Sequence, residues 1–233
     1  MNSTDISIAK RFYDFARRQL LLLVSLFFLA CGVALCVRSN LGSSVISSAP
    51  YAFFLAGENG MAPGWTLGMY TNLLNVLLVV TQIAVLRHRY RPWQLLQLLI
   101  GVVFGMLIDI SMAMTAFLES VDNLYPRLAL MWGGSTLMAL GVSMEIRCAS
   151  ITMPGEGLPA ALSKVTGKSF ASMKIFTDIL LVALAVGASY LFFKNWMWNV
   201  VGAGTLFAMV YIGVAVKVFS RHLGWFDRLL DNN

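Results

Sequence analysis

Two ionisable side chains one helical turn apart, inside an otherwise apolar run, are the first chemistry this sequence offers. Lys174 and Asp178 lie in FASMKIFTDILLVALAVGASYLFF, and their spacing lets them pair on one helix face. An ionisable group in a membrane span costs about 2.5–3.5 kcal/mol on insertion scales, so such groups mark solute pathways, proton relays or counter-ions. The plainer reading is a pair that only holds helices in register. Upstream, Met153-Pro154-Gly155-Glu156-Gly157 breaks the apolar pattern. Glu156, between two glycines, is a proton acceptor or cation ligand there, or else a solvated loop carboxylate. Arg38 and Arg147 each end an apolar run, where they neutralise helix C-terminal carbonyls or hold an anionic solute from the two sides. Asp109 either reaches outward with Ser111 or joins the Lys174 cluster. Asn72 and Asn75 read as interhelical hydrogen-bond glue, with a pathway role as the alternative. Glu145 reads as a partner of Arg147 or Lys168.

These residues sit in a chain of 233 residues that is 58% hydrophobic and 12% charged, with a mean hydropathy of +0.75. A soluble domain carries roughly a quarter charged residues, so this is an integral membrane protein with the lipid bilayer as its first partner. The net charge of +6 would suggest nucleic acid in a soluble chain. Here the basic residues flank apolar runs, where they set orientation, and no nucleic-acid partner is expected. Cys31, Cys36 and Cys148 show no CxxC or Cys/His ligand spacing and read as small apolar residues. HExxH, G-x-S-x-G and GxxxxGK[ST] are all missing from the sequence. Neither an enzyme nor an ATP-driven pump is expected, and no cofactor or metal site.

Residues 1–18 read as a basic amphipathic helix on the cytoplasmic face, with Ile6, Ile8, Phe12 and Phe15 against Lys10, Arg11, Arg17 and Arg18. Apolar runs long enough to span a hydrocarbon core follow at 19–37, 65–86, 93–115, 128–146, 169–193 and 198–217. Two shorter apolar stretches, 45–55 with Pro50 and 158–165 with Pro159, are too short to cross. The loop from Phe117 to Arg127 carries Glu119 and Asp122, and residues 218–233 form a tail. Six spans put the Arg87–Arg91 cluster, Lys164, Lys168, Lys217, Arg221 and Arg228 on one side with both termini. Arg38, Arg127 and Lys194 are left on the other. By the positive-inside rule both termini are cytoplasmic in an inner (plasma) membrane. Trp65, Trp93, Trp132, Trp196 and Trp198 flank span ends as interfacial anchors.

Sliding the chain by 109 residues places Gly32 on Gly141, Arg38 on Arg147 and Pro50 on Pro159. With a six-residue shorter loop, a shift of 103 carries Gly101 onto Gly204 and the pair Thr71/Asn75 onto Lys174/Asp178. Ordered recurrence of arginine, proline and an i, i+4 polar pair argues for duplication. The expected fold is therefore an all-α polytopic membrane protein of six transmembrane helices. They form two inverted three-helix repeats, 19–116 and 128–217, each with a broken segment and short helix after its first span. Secondary transporters of this build hold their sites where the broken segments meet.

GVALCVRSNLGSS before a Pro-bearing short helix, and RCASITMPGEGLPAALSKVTGKSFASMKIFTDILL, resemble the bacterial YczE/YyaS/YitT-type integral membrane proteins. The resemblance covers most of residues 20–217, and Met153–Gly157 with Lys174-x-x-x-Asp178 is its most specific part. It implies a membrane protein or transporter with no general substrate to carry over. Unlike the YitT-like branch, no soluble C-terminal domain follows the sixth span, so a regulatory domain of that kind is not expected. The expected function is a small secondary transporter, proton-coupled, moving a small polar or charged solute or ion. Lys174, Asp178, Glu156, Arg147, Arg38, Asn75 and Asp109 are its binding or coupling residues. The competing expectation is a non-transporting scaffold or assembly factor. The short length and glycine-rich third span point to a homodimer.

Overall fold

A computed structural model describes residues 3–119, 121, 123–148 and 153–230, with only the backbone of residues 3–15 and Arg228. Asp122, the break residues 149–152, the amphipathic face of residues 3–15 and the last three residues lie outside what is described. The helices, in chain order, are α1 Ser3–Arg38, α2 Val45–Glu58, α3 Leu67–Leu86, α4 Leu96–Met114 and α5 Leu124–Cys148. They continue with α6 Pro154–Thr166, α7 Phe170–Phe193, α8 Ala203–His222 and α9 Gly224–Leu230. No strand occurs among the described residues. Five stretches are long and apolar enough to cross a membrane: Ala16–Arg38, Leu67–Arg89, Pro92–Met114, Phe170–Phe193 and Ala203–His222. The chain is an all-α, multi-pass membrane protein.

Helix α5, over the expected fourth span, is not among those five although its 25 residues suffice for a hydrocarbon core of about 30 Å. Its neighbours explain the difference. α5 packs against α1 and α8, and its buried positions include Gly134, Ser135, Gly141, Ser143 and Glu145, small or polar residues suited to helix–helix contact. Perimeter helices carry the leucine-rich faces instead, such as Leu73, Leu77 and Val80 on α3 or Ile175, Ile179 and Leu184 on α7. A side chain at Gly32 would collide with Met138, and one at Gly141 with Leu29. These are one contact made twice, because the 109-residue shift that carries Gly32 to Gly141 also carries Leu29 to Met138.

The remaining packing is paired in the same register. α1 against α4 has its counterpart in α5 against α8, α2 against α7 in α6 against α3, and α2 against α3 in α6 against α7. One pair lacks its mate: α3 packs extensively on α4, whereas α7 and α8 barely touch.

The short helices are longer than their apolar stretches suggest. α6 starts at Pro154, with Met153 as N-cap and Glu156 in the first turn, so the Pro-Gly-Glu-Gly motif is a helix start and not a loop. Pro50 and Pro159 each occupy the sixth position of their helix, where proline removes the N–H that would bond the carbonyl four residues back, in Ile46 and Gly155. Those two residues are where α2 and α6 meet, Ile46 Cδ1 filling the place of a Gly155 side chain. Ser44, Ser47 and Ser48 are buried in the first turn of α2. Ser47 Oγ donates to the Ser44 carbonyl at 3.2 Å and Ser48 Oγ to that of Val45 at 2.7 Å, while Ser43 Oγ reaches the Val200 carbonyl at 2.9 Å.

The C-terminal segment is folded rather than a tail. α8 runs on to His222 and α9 turns back, burying Leu223, Phe226 and Leu230 in the core. Arg17 Nη2 donates to the Leu230 carbonyl at 2.7 Å, tying α9 to α1.

Candidate functional site

A cavity of about 460 Å³ lies at the end of α1 that carries Arg38. Arg38 donates from Nη2 to the Met112 carbonyl at 3.0 Å, near the C-terminus of α4, and pairs through Nη1 with Glu119 at 3.1 Å. The carboxylate is 74% exposed, so that ion pair stabilises little, about 0–1 kcal/mol. Arg38 Nε is buried without a hydrogen-bond partner among the described residues. Asp109 also lines the cavity and accepts from Thr66 Oγ1 at 2.6 Å and from the Gly68 N–H at 2.7 Å. Thr66 is the N-cap of α3 and accepts from Met69 N. The carboxylate therefore sits on a helix N-terminus, where free N–H groups and the dipole favour it. It neither pairs with Ser111 nor joins Lys174.

At the other end of the molecule Arg147 makes the matching set of bonds. It donates to the Ser220 carbonyl and to the Leu223 carbonyl at 3.2 Å, and pairs with Asp227. A shift of 108 residues carries Met112 onto Ser220 and Glu119 onto Asp227. Both arginines thus bind the C-terminal carbonyls of the last long helix of their own half, plus a carboxylate just beyond it. The surroundings differ: beside Arg147 the space is taken by α9, with Phe226 fully buried.

Lys174 Nζ and Asp178 Oδ1 form the expected pair at 2.7 Å, with side chains 30% and 14% exposed. This pair lines neither of the two cavities described here. The structure brings Arg38 and Asp109 together and leaves Lys174 and Asp178 on α7, Arg147 beside α9, and Glu156 on α6. Glu145, 4% exposed, accepts from the Met153 N–H at 3.2 Å at the start of α6, not from Arg147 or Lys168. Asn75 and Asn72 pack into the notches of Gly101 and Gly105 on α4. The glycine face that suggested a dimer is used within the chain. Among the described residues neither polar side-chain atom of Asn75 has a hydrogen-bond partner, nor has Asn72 Oδ1, so this contact is steric.

Glu58, Tyr51 and Glu119 line the Arg38 cavity without having been singled out in the sequence. Glu119 reads there as a loop carboxylate, because nothing in local spacing reveals that α2 and the segment after α4 both border the cavity at Arg38. Partial burial, with Glu119 adding to it and Arg38 opposing, pushes the Glu58 carboxyl above its ordinary range. A second, smaller cavity of about 240 Å³ holds another unforeseen pair, Gln82 and Gln97. Gln97 Nε2 donates to Gln82 Oε1 at 3.1 Å, and Gln82 Nε2 to the Pro154 carbonyl at 3.2 Å. Among the described residues no group of three His, Cys, Asp or Glu side chains is arranged to hold a metal ion.

No curated protein and no solved structure matches the chain. A family model does, over residues 16–221, from the apolar part of α1 almost to the end of α8, and the chain belongs to this family of unknown function (DUF6198).

Proposed function

We propose that the protein is a small secondary transporter of six spans, α5 being the sixth, built as two inverted three-helix repeats and carrying a small polar or charged solute. The observation that carries the reading is the twofold set of arginine contacts at opposite ends of a mirrored helix packing, open to a cavity at Arg38 and filled by α9 at Arg147. Inverted repeats in unlike states give a protein one open and one closed entrance, the requirement for alternating access. With both termini cytoplasmic by the distribution of basic residues, the open entrance faces outward. The likeness to YczE/YyaS/YitT-type proteins supports the same class by analogy. Lys174 and Asp178, occupying the register of Thr71 and Asn75, are the coupling pair: a proton on Asp178 frees Lys174, and its release restores the 2.7 Å bond.

The competing scaffold reading makes Lys174 and Asp178 a fixed pair. Purified wild type, Lys174→Met, Asp178→Asn and the exchanged Lys174→Asp/Asp178→Lys protein separate the two in a thermal-shift screen of anions, cations and small metabolites. Transport predicts a solute whose effect on the wild-type midpoint changes with pH, a pH dependence that all the variants lose while remaining folded. If the exchanged protein regains wild-type stability and no solute shifts any midpoint, the pair is structural and the transporter reading fails.

A further inference from the structure

The charge facing the Arg38 cavity is not balanced by its own residues. Glu58, Asp109 and Glu119 contribute three carboxylates, and Arg38 is the one cation among the lining residues. Arg38 is committed to Glu119 and the Met112 carbonyl. Asp109 is held by two neutral donors, Thr66 and Gly68. Glu58 has no ion-pair partner among the described residues. An anion entering this space would meet net negative charge; a cation would meet Glu58 at the rim and Asp109 further in.

The face of α2 that carries Glu58 is also aromatic. Tyr51 and Phe54 stack on α2, ring centroids 6.3 Å apart and planes 18° from parallel, and both line the cavity. A cation within about 6 Å of such a ring is attracted by its π face. The volume of about 460 Å³ falls within the roughly 300–1,000 Å³ of small-molecule sites, and leaves room for alkyl groups around a charge. Oxygen ligands crowded at the short distances of a hard metal ion are not grouped here. We propose that this cavity binds a small organic cation, an amine or quaternary ammonium, with its charge toward Glu58 and Asp109 and its alkyl groups against Tyr51 and Phe54. The assignment names the substrate class of the transporter site and rests on that reading for its purpose, though not for the binding itself.

Tetramethylammonium and ethanolamine, against acetate and ethylene glycol at equal ionic strength, test it on the purified full-length protein in detergent. Both cations are expected to raise the unfolding midpoint and bind by calorimetry, acetate and the glycol to do neither. Glu58→Gln is expected to weaken tetramethylammonium at least tenfold, and Phe54→Leu severalfold, with unliganded midpoints close to wild type. Stabilisation by acetate and not by the cations overturns the assignment, as does an affinity unchanged in Glu58→Gln. Because detergent binding needs no turnover, cation binding without flux in vesicles keeps the site and removes the transporter. Flux of an anionic or neutral solute without cation binding does the reverse.

Discussion

Arg38 and Arg147 reach carbonyls 74 and 73 residues away, so each arginine fastens the first helix of its half to the last. Their surroundings decide what each is worth. Arg147 serves three acceptors and Arg38 two, and the Arg147 side chain is the more exposed, 20% against 12%. Charge-assisted hydrogen bonds contribute about 1.5–3 kcal/mol where solvent is kept out. With one bond more to lose, Arg147→Met should lower the unfolding midpoint more than Arg38→Met, a comparison that calorimetry in one detergent makes directly; equal losses would show that the third acceptor adds nothing. Asn75 works in the opposite sense. Its amide is 2% exposed and has no partner among the described residues, and a buried unsatisfied polar group costs about 1–3 kcal/mol. Asn75→Leu is expected to raise the midpoint by about 2–4 °C for each kcal/mol recovered. A fall instead would mean that the amide finds a partner in the folded protein.

The helices divide into those whose sequences declare them and those that depend on their neighbours. α3, α4, α7 and α8 face outward along much of their length, and their leucines make them legible as apolar runs. α5 was equally legible as a run but falls short in apolarity, because contact with α1 and α8 selects glycine and serine over leucine. The start of α6 carried a signal that the break obscured: proline at the first position with an acidic residue in the first turn marks a helix N-terminus as well as a loop. α9 is seven residues long, too short for periodicity, and its fold depends on a pocket made by α1, α5 and α8. Among the site residues, Lys174 and Asp178 were readable because their partnership is local, whereas Glu119 and Asp227 find theirs through tertiary packing. α9 also has a testable part in closing its end. In a protein lacking Cys31, Cys36 and Cys148, a cysteine at Ser220 should react slowly with a membrane-impermeant maleimide. Asp227→Asn, which removes the charge holding α9 to Arg147, should speed that reaction at least tenfold; an unchanged rate would show that α9 does not close that end.

Across the whole molecule, mirrored packing fails at one place, where α3 holds α4 and α7 does not hold α8. If the two halves exchange roles during transport, the close pair and the loose pair exchange too. Asn75 Cβ lies 3.3 Å from the position of a Gly101 side chain, close to the roughly 3.5–4.5 Å of a disulfide. An Asn75→Cys/Gly101→Cys protein should cross-link readily on mild oxidation, and the register-matched Asp178→Cys/Gly204→Cys protein slowly. The same fast rate in both would remove the asymmetry on which alternation depends.

The serines at the start of α2 bear on how such an exchange can be made in hydrocarbon. Ser47 and Ser48 satisfy their hydroxyls on carbonyls of their own turn, and only Ser43 is moored elsewhere, to Val200. A polar segment that supplies its own acceptors leaves no stranded donor when its neighbours change. α2 can therefore slide or turn against α7 and α3 while losing mainly apolar contacts, once the segment before it is released from Val200, which accepts from both the Ser43 hydroxyl and its N–H, and from α8, where the Gly204 N–H donates to the Leu41 carbonyl.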